Sequence, residues 1–420
     1  MLYFGKGSEK EIITSQQLKD IIFSSLQKIG LKKKVLVVPP DSTRFHSRSG
    51  EITRYIHQFY GNKLSDILPA LGTHSKMSAQ EINSMFPGVP LSLFRVHDWR
   101  KDTINIGEVP STFIENVSDG KVSYSWPAQV NKLLIEGNYD LIISVGQVVP
   151  HEVIGLANYN KNIFIGTGGA EAINKSHYLG AVYGLERIMG QIDTPVRKVL
   201  DYAGEHFAKN LPIVYIHTVI NNDNEGNLKL YGLYIGDDIE CFRQAAYLSI
   251  KLNIHWLEKP LKKVVCYLNP EEYKSTWLGN KSIYRTRMAI ADEGELIIIA
   301  PGIKSFGEDK EIDRLIRKYG YAGTSGIIKA VGENIELQNN LSAAAHLIHG
   351  SSEGRFRVTY CPGHISKEEI NNVNFNYCSL DKILNTYNPA KLKEGYNVIN
   401  GEEIFYVSNP ALGLWATRKK

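Results

Sequence analysis

An alternation constrains this chain most. Short unbroken apolar runs, among them KVLVV (34–38), DLIISV (140–145), KVVCYL (263–268) and ELIIIA (295–300), recur between longer amphipathic stretches. A strand that is apolar on both faces must be covered on both faces, which is the condition of a parallel sheet flanked by helices. The pattern predicts strands at 34–38, 92–96, 140–145, 162–166, 212–219, 229–235, 263–268, 295–300, 356–360 and 403–407. Helices are expected at 9–29, 50–60, 78–86, 128–137, 179–190, 195–208, 238–252, 309–319, 335–349 and 366–375. Residues 212–235 differ, because two alternating runs flank the turn-rich NNDNEG, and they predict an antiparallel hairpin. The fold class is α/β, with largely parallel sheets between helices.

At 420 residues the chain is about three times the commonest domain size, so two α/β domains are expected. The boundary falls near 258, where Lys259, Pro260, Lys262 and Lys263 separate two regular elements. This gives an N-terminal domain over 1–258 and a C-terminal one over 259–399.

Charge and cysteine usage exclude several classes. Lys plus Arg number 48 against 44 Asp plus Glu, a net of +4 that is too small for a general nucleic-acid binder. Cys241, Cys266, Cys361 and Cys378 form no CxxC pair and read as buried thiols of a reducing, cytoplasmic compartment. No run approaches the ~18 apolar residues of a membrane span, and the first residues lack the apolar core of a signal peptide. Neither nucleic acid nor membrane is an expected partner. A large cytoplasmic protein of enzyme type remains.

Polar residues collect where the early strands end. Asp41 and Arg44 follow KVLVVPP, His74 closes LGTH, His97 follows SLFRV, and His151 follows DLIISVGQVVP. Ligands of doubly wound sheets bind outside the carboxyl ends of the strands. Each residue also has a plainer use. Asp41 suits a cap, Arg44 could pair with it, His97 suits a buried core position, and Ser78 with Glu81 suits a capping box. IFIGTGGAEAI lacks GxGxxG and the P-loop lysine, so Gly166, Gly168 and Gly169 are better read as sites of close backbone approach.

One spacing is more specific. Lys161 stands ten residues after His151, and His177 sixteen after Lys161. With DSTR at 41–44 and LGTH at 71–74, this arrangement resembles the lactate racemase family, whose enzymes use a nickel-pincer nucleotide. The resemblance runs almost the full length. It implies that Lys161 holds the cofactor covalently through a thioamide and that His177 coordinates its nickel. His74 and His151 would be the paired acid/base groups. Asp41 would contact the cofactor and Arg44 the substrate carboxylate. It also implies two α/β domains with the active site in the crevice between them, and makes residues 400–420 a candidate for return to the first domain. The expected partners are a small-molecule 2-hydroxy acid and the enzymes that make the cofactor.

Those residue types suit the chemistry. Direct proton abstraction from a 2-hydroxy acid places a carbanion beside a carboxylate, which hydride transfer to an acceptor and back avoids. Such a route needs a base for the hydroxyl proton on each face, a role for which histidine is suited near neutrality. It also needs a cation for the carboxylate. A soft, sulfur-rich nickel centre completed by one imidazole is chemically reasonable.

Two departures from the family stand out. Asn158-Tyr159-Asn160 replaces its Ser-Gly-Gly before the lysine. In the second domain Tyr284-Arg285-Thr286-Arg287-Met288 replaces Tyr-Gln-x-x-Lys. Tyr284 is kept, Arg285 stands for glutamine, and Met288 for lysine. The substrate expected is therefore larger than lactate, a sugar acid or a diacid, bound through Arg44, Tyr284 and Arg285, with segment 158–162 offering further hydrogen-bond partners. The function expected is a racemase or epimerase of such an acid, an isomerase. Two alternatives stay open: a divalent-metal lyase or hydrolase acting on sugar acids, and a non-catalytic relative that binds a nucleotide.

Overall fold

Val35–Val38 and Leu141–Gln147 are buried along their whole length, as strands in the middle of a covered sheet must be. The structure, a computed structural model, describes residues 1–223 and 225–418. The chain divides into two units, residues 1–179 with 187–253, and residues 180–186 with 254–420.

The first unit is built on a six-stranded sheet. Its order is Leu2–Gly7, Leu228–Gly236, Ile213–Asn222, Leu141–Gln147, Val35–Val38, Leu64–Ile67. The last four of these strands run parallel, and the first three form antiparallel pairs, including the hairpin expected around NNDNEG. One face packs against the helices Ser15–Ile29 and Ser49–Tyr60, through Leu18, Ile22, Ile52 and Ile56 onto Val35, Val37, Ile143 and Val145. The first helix is set by a Thr14/Gln17 capping box, and its buried residues Leu18, Ile22 and Leu26 recur every four positions. Each fully buried aliphatic side chain stabilises the fold by roughly 1.5–3 kcal/mol.

The second unit repeats the plan. Its sheet order is Asn376–Tyr377, Arg357–Pro362, Ile290–Ala300, Leu261–Tyr267, Glu402–Val407, Gly395–Ile399, parallel except for the last pair. Residues 402–407 lie in this sheet, with Val264 opposite Phe405. Leu414–Thr417 pairs with Ile254–Leu257, so both terminal strands belong to the second unit. Among the described residues no helix is long and apolar enough to cross a membrane.

Several elements differ from expectation. Residues 162–166 are not a strand: Asn160–Phe164 is a short helix, because a buried apolar run of this length reads alike in either form. Residues 92–96 give a 3-10 turn at Leu91–Leu93, followed by an isolated bridge between Phe94 and Ile67 in place of a strand. The strand beside Val35–Val38 is Leu64–Ile67, whose buried Asp66 interrupts the apolar pattern and is held by the Tyr139 hydroxyl at 2.7 Å and Arg95 at 2.7 Å. Residues 128–137 are mostly not helical. Trp126–Asn131 pairs with Thr103–Val109 as a separate hairpin, and only Leu133–Glu136 is helix.

Candidate active site

The chain leaves Val35–Val38 for a strand on one side of it and then crosses to Leu141–Gln147 on the other. The sheet therefore reverses its winding between these two strands, where α/β sheets bind ligands. Asp41 follows one of them and His151 the other. His74 follows the neighbouring Leu64–Ile67.

Asp41 is 5% exposed and caps the 3-10 turn Ser42–Ser47. One carboxylate oxygen accepts from the Thr43 amide at 3.2 Å and hydroxyl at 2.5 Å; the other meets His74 Nδ1 at 2.6 Å. Burial pushes the Asp41 carboxyl up, but the bond and charge of His74, with Thr43 and Arg44, outweigh it and hold it below its ordinary value. Since a carboxylate can only accept, Nδ1 carries the proton and Nε2 of His74 is left as a base. His151 is arranged the opposite way. Its Nδ1 accepts from the Val153 amide at 3.2 Å, which leaves the proton on Nε2 when the ring is neutral.

Lys161 lies in the helix Asn160–Phe164. Burial, and then the positive charge of Arg44, push its amine down to about 8 against the pull of Glu152 and Asp41. Among the described residues no carboxylate is within ion-pair distance of it. His177 sits on the helix Ala170–Tyr183, and its Nδ1 donates to the Ile173 carbonyl at 2.7 Å, so Nε2 carries the lone pair. Burial lowers its pKa, and Lys161 is among the charges that lower it further. An amine whose neutral form is favoured by burial therefore shares an electrostatic neighbourhood with an imidazole nitrogen that has its lone pair available.

The surroundings of Lys161 account for the asparagines. Asn158, Asn160 and Asn162 are all buried. Asn158 Nδ2 meets His217 Nδ1 at 3.0 Å. Asn160 donates to Asp201 at 2.9 Å and accepts from the Tyr215 hydroxyl at 2.7 Å. Asn162 donates to the Val38 carbonyl and to Ser144 Oγ, both at 3.0 Å. These amides tie the lysine helix to the sheet, so segment 158–162 is frame and not, as expected from sequence, a set of substrate partners. His97 is also frame. It is 3% exposed, bonded through Nε2 to the Gly168 carbonyl at 3.1 Å and through Nδ1 to Asn131 at 2.9 Å. Gly166, Gly168 and Gly169 sit where a Cβ would strike Asn162 O, Phe164 O and Gln129 Oε1, so they serve close approach.

In the second unit Tyr284 and Arg285 lie on the helix Lys281–Thr286 and are 4% and 2% exposed. The Tyr284 hydroxyl meets His346 Nδ1 at 2.8 Å, and His346 Nε2 meets the Tyr321 hydroxyl at 2.9 Å. Arg287 bonds Glu186 at 2.7 Å and the carbonyls of His349 and Ser351 at 3.2 and 3.1 Å.

Residues 5–186 match the model of the lactate racemase N-terminal domain. The chain resembles the lactate racemase family. Its fold is that of the lactate racemase apoprotein of Thermoanaerobacterium thermosaccharolyticum, with a TM-score of 0.72 and 17% identity over 97% of this chain and 94% of that one. A Thermotoga maritima protein of known crystal structure superposes with a TM-score of 0.81 and 24% identity, over 96% and 98% of the two chains. At these identities the likeness is one of fold. No curated protein matches the sequence.

Within residues 5–186, the sequence pattern did not disclose Glu152 or the hairpin Trp126–Asn131. Glu152 Oε2 is 4.0 Å from His151 Nδ1 and acts electrostatically on both Lys161 and His177. Its position next to His151 was the available signal. The hairpin holds the helix of His177: Trp126 Nε1 donates to the Ala172 carbonyl and to Ser176 Oγ at 2.9 Å each. Gln129 accepts from the Ala172 amide at 3.2 Å.

Proposed function

We propose that the chain is a racemase or epimerase of a 2-hydroxy acid that works with a nickel-pincer nucleotide held at Lys161 and His177. The observation that carries the reading is geometric: Lys161 stands on the helix Asn160–Phe164 with no carboxylate partner among the described residues, and His177 spends Nδ1 on the Ile173 carbonyl, which leaves Nε2 to a metal; burial, which lowers the lysine amine to about 8, agrees with it. Among the described residues no group of three or more His, Cys, Asp or Glu side chains is placed to hold a metal ion. A metal joined to His177 therefore has to bring its other donors with it, which suits a ready-made pincer complex and one imidazole. When bound, such a group supplies a hydride acceptor, so that C2 is oxidised and reduced again without a carbanion beside the carboxylate.

The chain's own residues supply the rest. The neutral fraction of Lys161 serves the covalent attachment, and Arg44 holds the substrate carboxylate. His74, oriented by Asp41, takes the hydroxyl proton at Nε2, and His151 is the matching acid/base group for the other face. We assign the choice of substrate to Tyr284 and Arg285. Arg287 is committed to Glu186 and does not replace the cation lost at Met288. A sugar acid or diacid, offering Arg285 more acceptors than lactate does, is the substrate class proposed. The four cysteines are free thiols, which supports placing the protein in the cytoplasm; enzymes that make the cofactor are the partners this proposal requires.

Turnover in heavy water tests the mechanism. Hydride transfer leaves the hydrogen on C2 with the substrate, so product is expected to stay unlabelled there. Deuterium entering C2 at the pace of racemisation would point to carbanion chemistry and sink the proposal.

A further inference from the structure

The peptide leading into Lys161 is not built as a passive loop. Asn158 and Tyr159 have consecutive positive φ values of 73° and 59°. Tyr159 combines its φ with a ψ of −136°, a region that glycine enters freely and other residues almost never do. A tyrosine held there needs its surroundings to impose the turn. They are on hand: the ring is 8% exposed, stacked on Phe242 at 5.5 Å and 18°, with the Tyr215 ring 4.4 Å away and the Arg197 guanidinium 6.0 Å from its centroid. Arg197 also bonds the carbonyls of Leu156 and Asn158 at 2.8 and 3.2 Å, fastening the same peptide. Two glycines make room for the flanking amides. A Cβ on Gly146 would stand 2.9 Å from Asn158 Oδ1, and one on Gly204 2.7 Å from Asn160 Nδ2.

We propose that Tyr159 is a positioning residue for Lys161: its ring, wedged among Phe242, Tyr215 and Arg197, imposes the turn that starts the lysine's helix and so sets where the amine stands. A glycine at 159 could adopt the same turn but would also leave it freely, and the amine on its four-carbon stem would spread over more positions. The ring turns a permissive conformation into an enforced one. The proposal rests on the reading of Lys161 as the attachment point, yet it concerns the chain's own geometry and can be tested without the attached group.

The test is competitive acetylation of the full, cofactor-free chain with acetic anhydride, read by peptide mass spectrometry, alongside amide exchange over 158–166. Tyr159→Gly is expected to raise the rate at Lys161 relative to surface lysines about ten-fold and to lower amide protection there by a similar factor, the scale of one lost aromatic contact. Tyr159→Phe keeps the ring and is expected to behave as the parent. A glycine variant that labels Lys161 at the parent rate would overturn the proposal, as would a phenylalanine variant that behaves like glycine. Should Tyr159→Gly not fold, Phe242→Leu removes the face on which the ring stacks and is expected to shift Lys161 labelling in the same direction; an unchanged rate there also overturns it. If the labelling follows the proposal but no mass adduct ever forms on Lys161 in loaded protein, the positioning role stands and the attachment reading falls.

Discussion

Asp41 and His74 face each other at 2.6 Å, the carboxylate nearly sealed and the imidazole 52% exposed. The buried partner dictates the tautomer of the accessible one. With His151 accepting from Val153 through the same ring position, the two rings, when neutral, carry their protons on opposite nitrogens.

Asp41→Asn therefore tests orientation more than binding. The amide can still occupy the site but cannot hold the proton on Nδ1 by charge, and a loss of about 10²-fold in rate is expected, at the lower end for a positioned acid/base group. The Asp41 carboxyl is held below its ordinary value in the fold, so its contribution to stability is complete above the unfolded value, near pH 4, and is lost as pH falls through the folded one. The variant should show less acid-dependent loss of stability than the parent as pH falls below about 4. An identical acid limb in urea titrations would show that the pair does not matter to the fold.

Lys161→Met should stabilise the cofactor-free chain. The lysine pKa is lowered to about 8, so the fold disfavours the ammonium. The penalty is present in full below pH 8 and vanishes as pH rises past the unfolded value near 10.4. At pH 7 a gain of about 1–3 kcal/mol is expected from urea unfolding, shrinking towards pH 10. A destabilised variant would mean that the amine is paired in solution.

At position 159 the usual order of alanine above glycine should be reversed. Tyr159→Ala and Tyr159→Gly lose the same ring contacts, at about 3–5 kcal/mol for a buried aromatic, but only alanine keeps the strain of a φ of 59°. Glycine is expected to be the more stable by about 1 kcal/mol. Equal midpoints in urea would show that the turn relaxes when the ring is gone.

How far the sequence carries depends on the element. The continuous apolar runs located Val35–Val38, Leu141–Gln147 and the 213–236 hairpin, because burial on both faces or on one leaves a periodic trace. Leu64–Ile67 left none, since Asp66 breaks the run and is reconciled only by Tyr139 and Arg95, far along the chain. Asp41 and His151 were legible as residues that follow strands, and the structure puts them there, whereas His74, Lys161 and His177 were singled out through the family resemblance. The frame around them was not. Asn158 and Asn160 find His217, Asp201 and Tyr215 only once the strand Ile213–Asn222 and the helix Pro195–Phe207 are packed, and no local pattern announces such contacts.

Arg285→Gln tests substrate choice. Activity on the true substrate, expected among sugar acids and diacids, should fall by about 10²-fold or more, as for a site that loses a group built to bond its ligand, while residual activity on lactate changes little. Better turnover of lactate than of every sugar acid and diacid tested would overturn the assignment.

The central claim, that Lys161 anchors the group and His177 holds its metal, is tested most directly by intact mass. Protein produced with nickel and the cofactor-making enzymes should carry a covalent adduct that maps to Lys161. Lys161→Ala should lack it, while His177→Ala should keep the adduct and lose nickel on gel filtration. An adduct mass unchanged in Lys161→Ala, or no adduct in the parent under conditions that load a lactate racemase, would contradict the account.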